Sequence, residues 1–264
     1  MIETYASEWP LISVITPSYN QGLFIEQTIE SVLLQNYPAF EHIIIDGGST
    51  DETVPILKRH PHLNWVSEKD SGQSEALNKG FKKARGEIIA WINSDDWYEP
   101  GSFFVVADFF LRNPNKNVVM GDCLLVDSSG QTMRKVINSE RGFKDILRFW
   151  VPYSIPTQPA VFFRRSLLSE FGEVDESLYY AMDFDLWLRF GSRYRFHHID
   201  RVVANYRFHA SAKGGDQNFE KFIPECTAVF KRYVNKDYKI SLEYKMFLLR
   251  TFLSKFKQSF LNSG

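Results

Sequence analysis

Cysteine is nearly absent from the chain: Cys123 and Cys226 are the two present. They show neither a disulfide framework nor zinc-ligand spacing, so the fold is expected to rest on its apolar core in a reducing compartment. An excess of one charge is lacking too. Against 31 Lys and Arg stand 32 Asp and Glu, and the net charge of −1 argues against a basic field for nucleic acid. No apolar run is long enough to cross a bilayer, and Met1 to Tyr5 show no basic segment followed by an apolar one. No secretory signal is read there, and a cytoplasmic location is expected. No G-x-G-x-x-G follows the first predicted strand and no Walker-type lysine loop occurs, which sets aside dinucleotide enzymes and P-loop NTPases.

What the chain has in quantity is aromatic residues, 16% of the total, with 23 Phe and 12 Tyr. That is enough for exposed ring surface, on which sugar faces stack, as well as for core. The 264 residues suffice for one large domain with an appendage. Leu11–Thr16, Glu41–Ile45 and Leu63–Val66 read as strands, the first stopped by Pro17, and Glu87–Ile92 reads as a strand buried on both faces. Between them Ile25, Ile29, Val32 and Leu33, and later Leu77, Phe81 and Ala84, have the spacing of buried helix faces. Ser49 with Glu52 three residues on predicts a capping box. Strands alternating with helices make a doubly wound α/β pattern.

Parallel strands place their exit loops on one edge, so residues 16–20, 46–51, 70–74 and 95–96 are expected to converge. The fourth strand ends at Asp95-Asp96. Adjacent carboxylates raise each other's pKa unless a cation or hydrogen-bond donors offset them, and two carboxylates with diphosphate oxygens suit Mg or Mn. The plainer reading is a solvated Asp-rich turn before Pro100-Gly101.

Beyond Asp96 the plan changes. Phe103, Phe104, Ala107, Phe110 and Leu111 predict a helix; 118–120, 123–126 and 131–137 predict strands of a more antiparallel half. The aromatics of 141–163 are either an acceptor wall or core. Residues 181–190 predict a helix with Asp183 in its first turn, placed to cap it or to face a cleft. A strand over 201–209 ends at His209, a metal ligand or an ordinary strand-end histidine, and a flexible loop is expected at 213–216. From 241 to 261 a basic amphipathic helix carries Leu242, Met246, Leu249, Leu253, Phe256 and Phe260. Its stripe suits an anionic membrane, the chain's own body or a second subunit in a homodimer.

Thr16-Pro17-Ser18-Tyr19-Asn20, Asp46-Gly47-Gly48-Ser49-Thr50-Asp51, Gly72 to Asn78, Asn93-Ser94-Asp95-Asp96 and Met182-Asp183 together resemble glycosyltransferase family 2. The resemblance covers roughly residues 9–210. It implies the GT-A fold: a Rossmann-like, mostly parallel central sheet with helices on both faces, a smaller mixed or antiparallel acceptor half, and C-terminal helices. A single catalytic domain is then expected over 1–215, with the nucleotide-binding half at about 9–100 and the acceptor half at about 101–215. A C-terminal helical extension follows over 216–264.

The resemblance further implies an inverting enzyme. Asp183 is its base; Thr16, Pro17, Tyr19, Asn20, Asp46, Gly48, Asp70, Gln73, Asn78, Ser94 and Asp95 hold a nucleotide-diphosphate sugar. Asp95, Asp96 and His209 hold a divalent cation. The acceptor is a glycan or lipid-linked molecule in bacterial-type surface polysaccharide assembly, at the inner face of the membrane. Four positions depart from the family pattern. Gly47 replaces a second aspartate, Asn93 an aspartate, Met182 a glutamate and Leu77 an arginine, leaving Lys69, Lys79 or Arg207 to offset the diphosphate. A catalytically silent glycan-binding scaffold is the competing reading, argued from the acidic positions lost at 47, 93 and 182. A sugar-phosphate nucleotidyltransferase is disfavoured, because Pro17 to Gly22 is neither Gly-rich nor basic.

Overall fold

The apolar runs of the first hundred residues become four parallel strands, three of them covered on both faces and the edge strand, Asn64–Ser67, only partly covered. The structure, a computed structural model, describes residues 9–209, 213, 219–234 and 237–261, with the backbone alone at 219–220 and 251–261. The first half runs β1 (Ile12–Ser18), α1 (Ile25–Leu33), β2 (Phe40–Asp46), α2 (Thr53–Lys58), β3 (Asn64–Ser67), α3 (Gln73–Lys83) and β4 (Ile88–Trp91). The second runs β5 (Trp97–Tyr98), α4 (Ser102–Arg112), β6 (Val118–Val126), β7 (Thr132–Val136), α5 (Phe143–Leu147), β8 (Val161–Arg164), α6 (Ser166–Phe171), α7 (Met182–Gly191) and β9 (Phe196–Arg207). Helices α8 (Phe219–Tyr233) and α9 (Tyr238–Leu261) follow.

Among the described residues the strands form one sheet in the order β3-β2-β1-β4-β8-β6-β9-β5, with β7 paired to β6. β3, β2, β1 and β4 are mutually parallel; β8 is antiparallel to both β4 and β6. This is the expected mostly parallel sheet with a mixed second half.

Alternating side chains divide the core. Ile15, Ile43, Ile45 and Trp91 face α3 and α7, whereas Ile12, Val14, Ile88 and Ala90 face α4. Cys226, Val229 and Phe230 of α8, with Ile240 and Tyr244 of α9, join the first of these clusters beside Trp187 and Phe184, so the helices of the expected extension close that face. Among the described residues no helix is long and apolar enough to cross a membrane.

Several local expectations are corrected. β1 runs on through Pro17 to Ser18. Ile15 turns its carbonyl to β4, where it accepts from the Ile92 amide, so Pro17, two residues on, turns its ring nitrogen to the same side, beyond the last β1–β4 pair. No ladder hydrogen bond is lost there. The Ser49–Glu52 capping box does not form: α2 begins at Thr53 without a side-chain cap, and Ser49 Oγ donates to Asp46 Oδ1 instead. The two predicted strands at 118–120 and 123–126 are one, β6, whose register against β9 shifts around Gly121. A Cβ at Gly121 would lie 2.6 Å from a Val203 methyl, which is why glycine stands at this irregularity. Of the 141–163 aromatics, Phe162 and Phe163 are buried in β8 and Trp150 packs on Phe230 and Tyr244, so these three rings are core, whereas Tyr153 remains exposed. Apart from Lys213, the expected loop at 213–216 lies outside the described residues.

Candidate active site

The loops leaving β1 to β4 meet at one sheet edge and are tied to each other before any ligand is considered. Asn20, at φ 51°, donates its amide to Ser49 Oγ and accepts from the Thr50 amide; Gly22 N–H donates to Asp51 Oδ2. Asp46 is fully buried and accepts from the Gly48 and Ser49 amides and the Ser67 hydroxyl. A carboxylate satisfied by several donors fixes a loop. Between these loops and Tyr179, in the segment before α7, opens a cleft of about 640 Å³.

Of the residues expected to hold a donor, Pro17, Tyr19, Gly48, Asp70, Gln73, Ser94 and Asp95 line this cleft. Thr16, Asp46 and Asn78 are buried behind it. Thr16 Oγ1 lies 3.0 Å from His42 Nε2, while Asn78 donates to the Val174 carbonyl and Glu176 and thereby fixes the segment before α7. Asn20 sits at the rim in the loop-to-loop bonds described above. Asp70 accepts from the Gly72 amide, and burial raises its pKa. A Cβ at Gly47 would stand 2.9 Å from Asp70 Oδ2.

The acidic pair divides its work. Asp95 lines the cleft with its carboxylate 2.9 Å from His209 Nε2. Asp96 is 1% exposed, and its Oδ1 accepts from the Arg207 amide. Burial first, and the Asp95 charge second, push the Asp96 pKa well up. Arg207 is not free to meet a diphosphate: its guanidinium donates to the Asp95 and Ser128 carbonyls and to Gln27, between the rings of Phe24 and Trp97. Lys79 bridges Glu68 and Glu75. Lys69 and Lys213 are the cations that line the cleft. Asn93 accepts from Gln73 and from the Trp91 indole and donates to Gln158. An aspartate at 93 would lose that donor and face Asp96, so the change from acid to amide is explained by its neighbours.

Asp183 stands half-buried in the first turn of α7, within the electrostatic reach of Tyr206 and Lys213, both of which line the cleft. Burial raises its pKa to about 6, against the lowering effect of the Phe184 amide it accepts from. A carboxylate poised there is ionised at neutral pH and basic enough to take a proton. Burial likewise lowers Lys213 to about 8. Sequence reasoning missed Glu225. From α8 it accepts from the Tyr179, Tyr180 and Ala181 amides and so sets where α7 begins. No motif points to it, since its partners are backbone groups more than forty residues away.

With this geometry established, the sequence profile of Glycosyl transferase family 2 matches residues 13–172. The chain belongs to glycosyltransferase family 2. Among its relatives, an uncharacterized glycosyltransferase of Rickettsia prowazekii is 30% identical over 207 residues, covering 76% of this chain and 65% of that protein. A putative teichuronic acid biosynthesis glycosyltransferase of Bacillus subtilis, TuaG, is 44% identical over 109 residues, covering 39% of this chain and 43% of its own length. The chain thus spans less than two thirds of either relative. The mannosyltransferase PcManGT of Pyrobaculum calidifontis, solved with GDP-Man and Mn2+, superposes with a TM-score of 0.64 at 22% identity, covering 86% of this chain and 65% of that one. That likeness shows the GT-A fold.

For a divalent cation, the described residues hold no cluster of three or more His, Cys, Asp or Glu in ligating geometry. They do hold a cleft-facing carboxylate, Asp95, against His209. A carboxylate beside an imidazole is a donor set that fits a divalent cation whose other ligands come from substrate oxygens.

Proposed function

We propose that this family 2 glycosyltransferase transfers a sugar, with inversion, from a nucleotide-diphosphate sugar to a hydroxyl of a glycan or lipid-linked acceptor in surface polysaccharide assembly. The observation that carries the reading is the cleft itself: donor loops and Asp95 line it, and the raised-pKa carboxylate of Asp183 lies within electrostatic reach of Tyr206 and Lys213, which line it too. Pro17, Tyr19, Gly48, Asp70, Gln73 and Ser94 surround the nucleotide, while Thr16, Asn20, Asp46 and Asn78 position the loops that do so. Asp183 takes the proton of the attacking hydroxyl, which reaches the anomeric carbon opposite the leaving diphosphate. Lys69 and Lys213 offset the charge that develops on that leaving group. Asp95 and His209 would hold a divalent cation, beside the buried Asp96. When bound, Mg or Mn supplies further charge stabilisation to the diphosphate. The GDP-Man and Mn2+ of the archaeal neighbour and the teichuronic acid pathway of the bacillary relative support donor class, metal and product class.

The test is a thermal-shift panel of nucleoside diphosphates and nucleotide-sugars, with and without Mn, on the wild type and on Asp95→Ala. A metal-dependent rise in Tm with one nucleotide, lost in the variant, is expected. No shift with any nucleotide in the presence of metal would favour the silent scaffold.

A further inference from the structure

Helix α9 carries two apolar seams, and the protein body covers one of them. Ile240 and Tyr244 are buried, with Phe247 packed beside them, against the core cluster of α7 and α8. At about 100° per residue, Leu242, Met246 and Leu249 fall on the opposite side of the helix. They remain 59%, 47% and 58% exposed. Tyr238, on the same side, is 82% exposed. The exposed residues Lys239, Lys245 and Arg250 flank this outer stripe at about 60° to 80° on either side. Glu243 is the acid of this helix, and it is engaged by Arg148. In the sequence the same spacing continues through Leu253, Phe256 and Phe260, with Lys255 and Lys257.

Among the described residues, none of the chain's own body covers the outer stripe over 238–250. Between the two other occupants that the sequence suggests, a second copy or an anionic surface, charge decides. A twofold interface sets the same patch against itself, which would place Lys239, Lys245 and Arg250 of one copy against those of the other. An anionic lipid surface meets the same groups with opposite charge while the leucines and methionine enter the acyl boundary.

We propose that the outer face of α9 docks the protein peripherally on an anionic membrane, with the inner seam holding the catalytic body beneath it. This goes beyond the transfer reaction and stands whether or not a donor is identified. The experiment is co-sedimentation of the full chain with vesicles of phosphatidylcholine alone or with about one third phosphatidylglycerol, at low and high salt. Binding to the anionic vesicles is expected, weakened by salt. Leu242→Glu/Leu249→Glu and, separately, Lys245→Glu/Arg250→Glu should each reduce it by at least about tenfold with unchanged Tm, because neither pair touches the buried seam. Absence of binding to anionic vesicles at low salt overturns the proposal. So does equal binding to neutral vesicles by the charge variant. A dimer in analytical ultracentrifugation that the leucine variant dissociates would assign the face to a second copy instead.

Discussion

The two walls of the cleft are held in opposite ways. The donor wall is knit locally: the loops after β1 and β2 exchange hydrogen bonds through Asn20, Ser49, Asp51 and Thr53, and Asp46 gathers the loops after β2 and β3. The wall that carries Asp183 is held from afar, by Glu225 on the amides before α7 and by Asn78 and Ser74 on the segment 174–178. Redundant local bonding makes one wall tolerant of single losses. Dependence on a few distant side chains, with Glu225 taking all three amides just ahead of α7, makes the other wall brittle, and that segment leads into the proposed base.

The largest expected effect lies on the brittle wall. Asp183→Asn should lower transfer by roughly 10²- to 10⁴-fold while donor affinity by calorimetry stays unchanged. Unaltered turnover would remove the base assignment. The same variant should be more stable, not less. Folding raises the Asp183 pKa to about 6, so the folded state binds the proton more tightly than the unfolded chain. The ionised group therefore costs stability at neutral pH, a cost relieved as pH falls through about 6 towards the unfolded value. Neutral asparagine should recover on the order of 1–3 kcal/mol in urea titrations at pH 7.5.

Glu225→Ala comes next and probes the brace itself. Unpairing the amides ahead of α7 should cost about 1–3 kcal/mol and depress kcat more than donor affinity. Transfer requires ionised Asp183, so the rate should rise with pH through a limb near about 6. Because the Glu225 charge raises the Asp183 pKa, its removal should move that limb to lower pH. A limb that moved upward would place Glu225 elsewhere in the electrostatics. The smallest effect belongs to the tolerant wall: Ser49→Ala should cost about 0.5–1.5 kcal/mol with little change in transfer. A loss as large as that of Glu225→Ala would erase the contrast between the walls.

The contrast also marks how much was legible beforehand. Strands buried on both faces leave unbroken apolar runs, so β1, β2 and β4 and the convergence of their loops follow from period and parallel connection alone. Carboxylates at strand ends announced the site. Their division of labour did not show, because Asp95 and Asp96 differ only in which way their side chains turn, and Arg207 decides that from the far end of β9. Strand β8 was hidden for another reason: in four residues, Val161–Arg164, periodicity does not tell a buried strand from an aromatic wall. Glu225 was hidden because carboxylate-to-amide bonds leave no pattern in the partner's residue types.

Gly47 and Asp70 share one corner of the pocket. A side chain at 47 would crowd the carboxyl of 70, which must turn aside to admit it. Adding an aspartate at 47 to this chain would press two acids together in a partly dry corner, where Asp70 already titrates above its ordinary range. Emptying position 70 first removes that conflict. Substitutions at the two neighbouring sites should therefore not be additive.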